Sequence, residues 1–310
     1  MAISPEPSVT GVSSFEDTRQ ASRGSAGIGN ILIGIILFLL ALAVLFPFYN
    51  VLIVSLGTPT GDIFPTTFSL NAYTYILGQG QVVHAFLVSL CVVVVGTIFS
   101  LLVTTCTAYA LSRKVFPGKK IILGIIVFTM FFGGGLVPWY IVIKNLGLIN
   151  NYLVLILPST MNAFYMIVML TFFRQFPAGL EESARIDGAN DWTILTRIVI
   201  PTSTPVMATI GLFYAVDRWN DWFTPLLFLS DPNMWPLQLF TQQFIINSTT
   251  ILQSANGSAG ASSVVSGLVP VLPDALKMAV IVIGIVPIML VYPFLQKYFA
   301  KGVMIGSLKG

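Results

Sequence analysis

Long apolar runs separated by short polar stretches make up the chain, and the charged positions mark the breaks. No Asp, Glu, Lys or Arg stands between Arg23 and Asp62, Asp62 and Arg113, Lys120 and Lys144, Lys144 and Arg174, or Lys277 and Lys297. A helix needs about 20 apolar residues to cross the hydrocarbon core of a bilayer, and each of these gaps can hold one. The pattern predicts six spans: Ile28–Leu56, His84–Ala110, Ile121–Ile143, Tyr152–Phe173, Thr204–Leu229 and Ala275–Tyr298. The first is too long and too late for a secretory signal, and no small-residue cleavage site follows it, so it reads as a retained anchor. Gly133, Gly134 and Gly135 with Pro138 predict a kink or a close helix contact in the third span, and Pro287 and Pro293 the same in the sixth.

Composition turns this pattern into a fold class. Of 310 residues, 55% are hydrophobic and 9% charged, against about 25% charged in a soluble globular chain. So few charges cannot cover a water-exposed surface. The expectation is an all-α polytopic membrane protein. Met1–Gly27, rich in Ser, Gly and Pro, reads as a disordered cytoplasmic tail. Residues 28–299 then form one six-span domain, and 300–310 a cytoplasmic C-terminal tail.

Chemistry is scarce. A single histidine, His84, excludes a His-rich metal site and the H-E-x-x-H pattern, and its place at the start of the second span reads as interfacial. Cys91 and Cys106 fall in one predicted helix, about 22 Å apart at 1.5 Å per residue, beyond disulfide reach. Neither a phosphate-cradling G-x-x-x-x-G-K-[ST] nor a G-x-S-x-G occurs in the sequence. No catalytic, cofactor-binding or metal-ligating residue is expected of this chain. The net charge of +3 reflects topology rather than an affinity for nucleic acid.

Lys and Arg set the orientation. Arg19 and Arg23 precede the first span; Arg113, Lys114, Lys119 and Lys120 fill the second connection; Arg174, Arg185 and Arg197 the fourth; Lys297, Lys301 and Lys309 the tail. Twelve of the fifteen basic residues thus lie on one side, which predicts both termini in the cytoplasm. The long Asp231–Asp274 connection, without Lys or Arg, then faces outside. Its Asn247–Gly267 stretch, rich in Ser, Thr, Gly and Asn, reads as a flexible spacer or as a docking loop for an extracytoplasmic partner.

Charges also fall inside the fifth span: Asp217, Arg218 and Asp221, among Trp219, Asn220 and Trp222. An ionised side chain at bilayer depth costs about 2.5–3.5 kcal/mol on insertion scales and usually faces a cavity or another charge. Arg218 can reach Asp221 at i, i+3, and Asp217 stands at i, i+4 from Asp221, so internal neutralisation is one reading. The other is a polar and aromatic wall of a translocation path, with Trp219 and Trp222 one turn apart on one side of it.

The charge-dense, amphipathic stretch is Pro177–Pro201, between the fourth and fifth spans. Pro177 and Gly179 end one helix; Glu181 and Glu182 suit the first turn of the next. Gly188 interrupts that helix, and a second runs through Trp192, Leu195 and Ile198 to Pro201, giving a helix–turn–helix under the membrane. Between Glu181 and Arg197 four charges are acidic and two basic. Helices that lie on lipid headgroups are mostly basic, so mixed sign favours a protein partner.

Glu182-Ser183-Ala184, three residues, Gly188, nine residues and then Ile198-Val199-Ile200-Pro201 resemble the EAA motif of ABC-importer permeases, E-A-A-x(3)-G-x(9)-I-x-L-P. Ser183 and Ile200 are conservative departures. Asp187-Gly188-Ala189 resembles the DGA of sugar-importing members. Gly134–Asn151, Ala215–Leu229 and Tyr292–Gly310 are similar to the maltose-transporter-type carbohydrate permeases, in a branch associated with oligosaccharides from complex polysaccharides. The resemblance implies a multi-pass bacterial cell-membrane subunit of a type I importer. It implies a second homologous permease, two ATPase subunits that use ATP, and an extracytoplasmic substrate-binding protein. It also implies that Glu182, Ser183, Ala184, Asp187, Gly188, Ile198, Ile200 and Pro201 form a coupling element seated in the ATPase. The rival expectation is a self-contained ion- or proton-coupled transporter with Asp217, Arg218 and Asp221 as its relay.

Overall fold

In the computed structural model, residues 26–57, 64, 68–113, 116–256 and 273–307 are described. The predicted tail up to Ser25, the residue Lys114 and the 257–272 part of the long connection lie outside them. The described residues are helical and turn-forming, with no strand among them. The chain divides into two units, Met1–Ile53 and Val54–Gly310. In the first, the described residues belong to α1 (Ala26–Ser55), whose large apolar side chains from Ile31 to Leu45 are half or more exposed. Such a surface suits lipid and not water.

The second unit runs α2 (Asn71–Gly78), α3 (Gln81–Ser112), α4 (Lys119–Phe131), α5 (Leu136–Asn145), a 3-10 turn at Tyr152–Leu155, α6 (Ala163–Arg174) and α7 (Ala178–Ile186). There follow α8 (Asp191–Thr202, with a π-helical turn at Leu195–Val199), α9 (Thr204–Asn220), α10 (Phe223–Phe228), α11 (Leu237–Asn256) and α12 (Pro273–Ser307). Gly29–Ser55, Gln81–Ser112 and Asp274–Val291 are long and apolar enough to cross a membrane; three bent helix pairs pass the same test when each counts as one span, for up to six.

α3 organises this unit. At 32 residues it is about 48 Å long, and three buried clusters lie along it. Near its start Val82 and Ala85 pack with Ala72, Ile76, Trp219, Leu237 and Ala279. Val88 and Val92 follow, against Ile143, Leu155 and Phe228. At its far end Ala108, Tyr109 and Leu111 pack with Met166, Leu170, Ala184, Ile194 and Val199.

Three predicted spans are not continuous helices. Ile121–Ile143 divides into α4 and α5, with a bend of 120° between them. Gly135, at φ 86° and ψ 166°, occupies backbone space that only glycine enters readily, so the chain turns there instead of merely kinking. Tyr152–Phe173 begins as the 3-10 turn, opens between Ile156 and Asn162, and is α-helical only in α6. The Asn162 side chain accepts from the backbone N–H groups of Phe164 and Tyr165 and starts that helix. Thr204–Leu229 breaks at Asp221, which is extended. Its carboxylate accepts from the N–H groups of Phe223 (3.1 Å) and Thr224 (3.0 Å) and so opens α10. α12, by contrast, continues through both Pro287 and Pro293 to Ser307 and takes in much of the expected tail.

The Asp231–Asp274 connection is not a spacer over its first half. Leu237–Asn256 is the helix α11, with Leu237 and Leu239 fully buried. Leu237 N–H donates to the Ser89 hydroxyl of α3 at 2.8 Å. The Leu237, Phe240 and Phe244 spacing makes an apolar stripe, which outweighs the polar composition of the segment.

Candidate functional site

The Pro177–Pro201 segment folds as α7, a turn and α8. Gly188 has φ 82°, and its N–H donates to the Arg185 carbonyl at 3.0 Å while that of Ala189 reaches the Ala184 carbonyl at 2.9 Å. This is a left-handed helix termination, for which glycine is favoured. A Cβ at Gly188 would meet nothing within 4 Å. The glycine is therefore there for its backbone conformation, and close packing inside the chain plays no part. Asn190 then caps α8 by accepting from Thr193 N–H at 2.8 Å.

One face of this hairpin is anchored and the other is free. Ala184 is buried, and Ile194, Leu195 and Val199 enter the same core, with Ile198 and Ile200 packed against it. Arg113, at the end of α3, pairs with Glu181 and lies over the Tyr109 ring, 4.0 Å from its centroid. The Tyr109 hydroxyl donates to the Asp191 carbonyl at 3.2 Å. Arg185 pairs with Asp191 and stands 3.8 Å from Glu181. Burial pushes the Arg113 guanidinium below its ordinary pKa, although arginine stays charged in proteins. Outward stand Glu182, Asp187, Gly188 and Pro201, with Ser183 bonded back to the Gly179 carbonyl at 2.8 Å. Beside them Ile186 is 86% and Trp192 65% exposed. Large apolar side chains are thus exposed among carboxylates on this face.

The second constellation surrounds the end of α9. A cavity of about 460 Å³ is lined by Ser159, Asn162, Tyr214, Asp217, Arg218, Asn220 and Asp221, with Met161 and Thr224. Arg218 is 8% exposed. Its Nη2 donates to Ser100 Oγ (2.8 Å) and to the carbonyls of Ser159 (3.2 Å) and Ile156 (3.5 Å). It forms no ion pair with Asp217 or Asp221. Neutralisation along one helix, one of the two readings of the sequence, gives way to hydrogen bonds to Ser100 and to the opened 156–162 segment. Asp217 accepts from the Tyr165 hydroxyl at 2.8 Å. Gly96 makes room for the arginine: a Cβ there would lie 2.2 Å from Arg218 Nε.

The two tryptophans do not share a side. Trp219 is 7% exposed, donates its indole N–H to the Gly284 carbonyl at 3.2 Å and meets Phe86 edge-on. Trp222 lies beyond the helix break, exposed, against Phe223. Neither lines the cavity. The sequence reading missed Tyr165, Ser100 and Gly96 as partners of the charges, and Tyr109 and Arg113 as anchors of the hairpin. Arg113 and Glu181 lie 68 positions apart, and no local pattern pairs them.

A chain helical throughout its described residues, with several apolar helices long enough to cross a membrane, a hairpin anchored on one face and exposed on the other, and a polar cavity, has the build of a transport permease. The family of binding-protein-dependent transport system inner membrane components matches residues 120–305, and the chain belongs to it. It is thus a multi-pass membrane permease component of an ABC importer, which works with ATPase and substrate-binding partners. It is 42% identical over 280 residues, 88% of this chain and 96% of the relative, to the polygalacturonan/rhamnogalacturonan transport system permease protein YtcP of Bacillus subtilis (strain 168). To the protein LplC of the same organism it is 44% identical over 248 residues, 80% of this chain and 81% of that one. In solved structures, it is similar to a chain of a bacterial ABC transporter involved in the import of the acidic polysaccharide alginate. That likeness has a TM-score of 0.80 and 29% identity, and covers 89% of this chain and 98% of the other.

Proposed function

We propose that this chain is the permease subunit that carries an oligosaccharide across the membrane, delivered outside by a binding protein and driven inside by ATP hydrolysis on partner subunits. In this reading the chain crosses the membrane six times with both termini in the cytoplasm, pairs with a homologous permease and two ATPase subunits, and has no catalytic residue or cofactor of its own. The hairpin of α7 and α8 carries the proposal. It is fixed to the end of α3 by Arg113, Glu181 and Tyr109, while Glu182, Asp187, Ile186 and Trp192 stand free. An element stiff on one face and open on the other can pass displacement from a soluble motor to a membrane helix. Asp217, Asn220 and Asp221 form the polar wall of the path, with Arg218 as the pin that holds it open against α3. The names of YtcP and of the alginate importer support a carbohydrate cargo.

The test is uptake of labelled oligosaccharides into vesicles that hold the assembled importer. Uptake is expected to need internal ATP and loaded binding protein, and to survive a protonophore. Uptake driven by an ion gradient without ATP would instead establish the self-contained transporter, with Asp217 and Asp221 as its relay.

A further inference from the structure

At the start of α3, the end opposite the hairpin, lies a separate cavity of about 400 Å³, within the range of small-molecule sites. We propose that it is a carbohydrate subsite at the mouth of the path, which takes uncharged pyranose rings of the transported oligosaccharide; this rests on the reading of the chain as a carbohydrate permease.

Its lining carries the argument. Amides come from the end of α2, from α3 and from α11 together: Gln79, Gln81, Gln243 and Asn247. Their side chains make no hydrogen bond among the described residues, so their donors and acceptors are available. An amide both donates and accepts, as a sugar hydroxyl does, and several converging amides can therefore read a ring of hydroxyls. Trp235, Phe240 and Phe244 supply apolar surface for the C–H face of a ring. The Trp235 indole N–H is already bonded to the Leu229 carbonyl at 3.1 Å, which holds that ring in place.

Among the described residues no Asp, Glu, Lys or Arg is in the lining, and its one imidazole, His84, is bonded to the Asn233 carbonyl. A carboxylate-bearing sugar would find no Lys or Arg among these described residues, and removing its charge from water without a partner is costly. The cavity therefore selects neutral rings. His84 bonds through Nε2 to the Asn233 carbonyl at 2.9 Å and ties the turn before α11 to α3, so the two sides of the cavity are fixed to each other. A rigid, partly closed, amide-lined hollow fits a sugar better than it fits a protein surface, which would bring charges and apolar side chains of its own.

The experiment uses the assembled importer in lipid nanodiscs without binding protein. Saturation-transfer NMR is recorded with tetrasaccharides of glucose, of galactose, of N-acetylglucosamine, of galacturonate and of its methyl ester. At least one neutral tetrasaccharide is expected to bind weakly, with a dissociation constant on the order of 1 mM, and galacturonate less well than its uncharged ester. Gln81→Ala with Gln243→Ala should cut binding about 10-fold, while Gln243→Asn, which keeps an amide, should retain most of it. Co-purified ATPase subunits show that each variant complex is intact. No binding by any neutral tetrasaccharide, binding unchanged in the double variant, or preference for free galacturonate would each overturn the proposal. So would a double variant that binds sugar normally but no longer responds to loaded binding protein, since the cavity would then dock protein. Failure of the permease reading would look different, as a wild-type chain that retains no ATPase.

Discussion

The hairpin of α7 and α8 and the cavity at the end of α9 both hold charges, and they satisfy them by different means. At the hairpin, arginines meet carboxylates: Arg113 with Glu181, Arg185 with Asp191. In the cavity, Arg218 meets a hydroxyl and two carbonyls, and the carboxylates nearby are tied to a phenol and to backbone N–H groups. Water screens the exposed Arg185–Asp191 pair and makes it modest and exchangeable, while Arg113 and Glu181 are largely buried. At the cavity Asp217 and Asn220 face open space while Arg218 is buried on protein partners, so removing one of those partners strands a buried charge. The hairpin thus carries exposed charge on its outer face, and the cavity a buried arginine fixed by its surroundings.

The sharpest way to break that contrast is at Gly188. Gly188→Ala imposes a left-handed conformation on a residue with a Cβ, at a cost of about 1 kcal/mol, but the Cβ itself meets nothing. Gly188→Asp tolerates that conformation better yet adds a charge on the free face. If the surface docks the ATPase, Gly188→Asp should lower ATPase co-purification and substrate-stimulated hydrolysis about 10-fold or more, equivalent to 1.4 kcal/mol, and Gly188→Ala much less. Equal effects would point to helix termination alone.

The cavity should respond in stability. Arg218→Met leaves the Ile156 and Ser159 carbonyls and Ser100 without their donor, at a cost of about 1–3 kcal/mol. Gly96→Ala, whose Cβ would collide with Arg218, should cost about 1–3 kcal/mol by overpacking. Both should lower the thermal midpoint of the detergent-extracted protein, measured by size-exclusion chromatography after heating. Because the two act on one side chain, the double variant should be far less than additive. Additive losses would separate Gly96 from the arginine.

These positions mark what was legible in the sequence. The hairpin could be read because its signals are local: an amphipathic charge pattern, a glycine at a helix end, acids in a first turn. The spans could be read from charge-free runs, but their breaks could not. Asp221 interrupts a helix because its carboxylate caps the next one, and Gly135 turns the chain through a conformation that spacing does not reveal. α11 was hidden by its Ser, Thr and Asn content, although Leu237, Phe240 and Phe244 already carried helical spacing. The partners of Arg218 were out of reach for a simpler reason: Ser100 is 118 positions away.

A smaller effect is expected at the anchor. Glu181→Gln leaves Arg113 without its ion pair and should weaken attachment of the hairpin by about 1 kcal/mol. The complex should still assemble, but with fewer sugars imported per ATP hydrolysed. Unchanged coupling would mean that Tyr109 and the apolar core hold the hairpin without the ion pair. The smallest changes separate the tryptophans. Trp219→Phe removes the bond to the Gly284 carbonyl, worth about 0.5–1.5 kcal/mol. Trp222→Ala, at an exposed position, should leave stability within about 0.5 kcal/mol. The reverse order would put Trp222, and not Trp219, in the packed core.

The claim on which all this depends is that the free face of the hairpin meets the ATPase. It is tested most directly by cross-linking from Ile186, which is 86% exposed on that face. Cys91 and Cys106, both exposed, are first replaced by Ser, and Ile186→Cys is introduced. A short thiol-to-amine cross-linker is then applied to membranes that hold the assembled importer. The account predicts a permease–ATPase adduct from Ile186→Cys and none from a cysteine at Gln79, at the other end of α3. An assembled, active importer in which Ile186→Cys gives no adduct with the ATPase would contradict it.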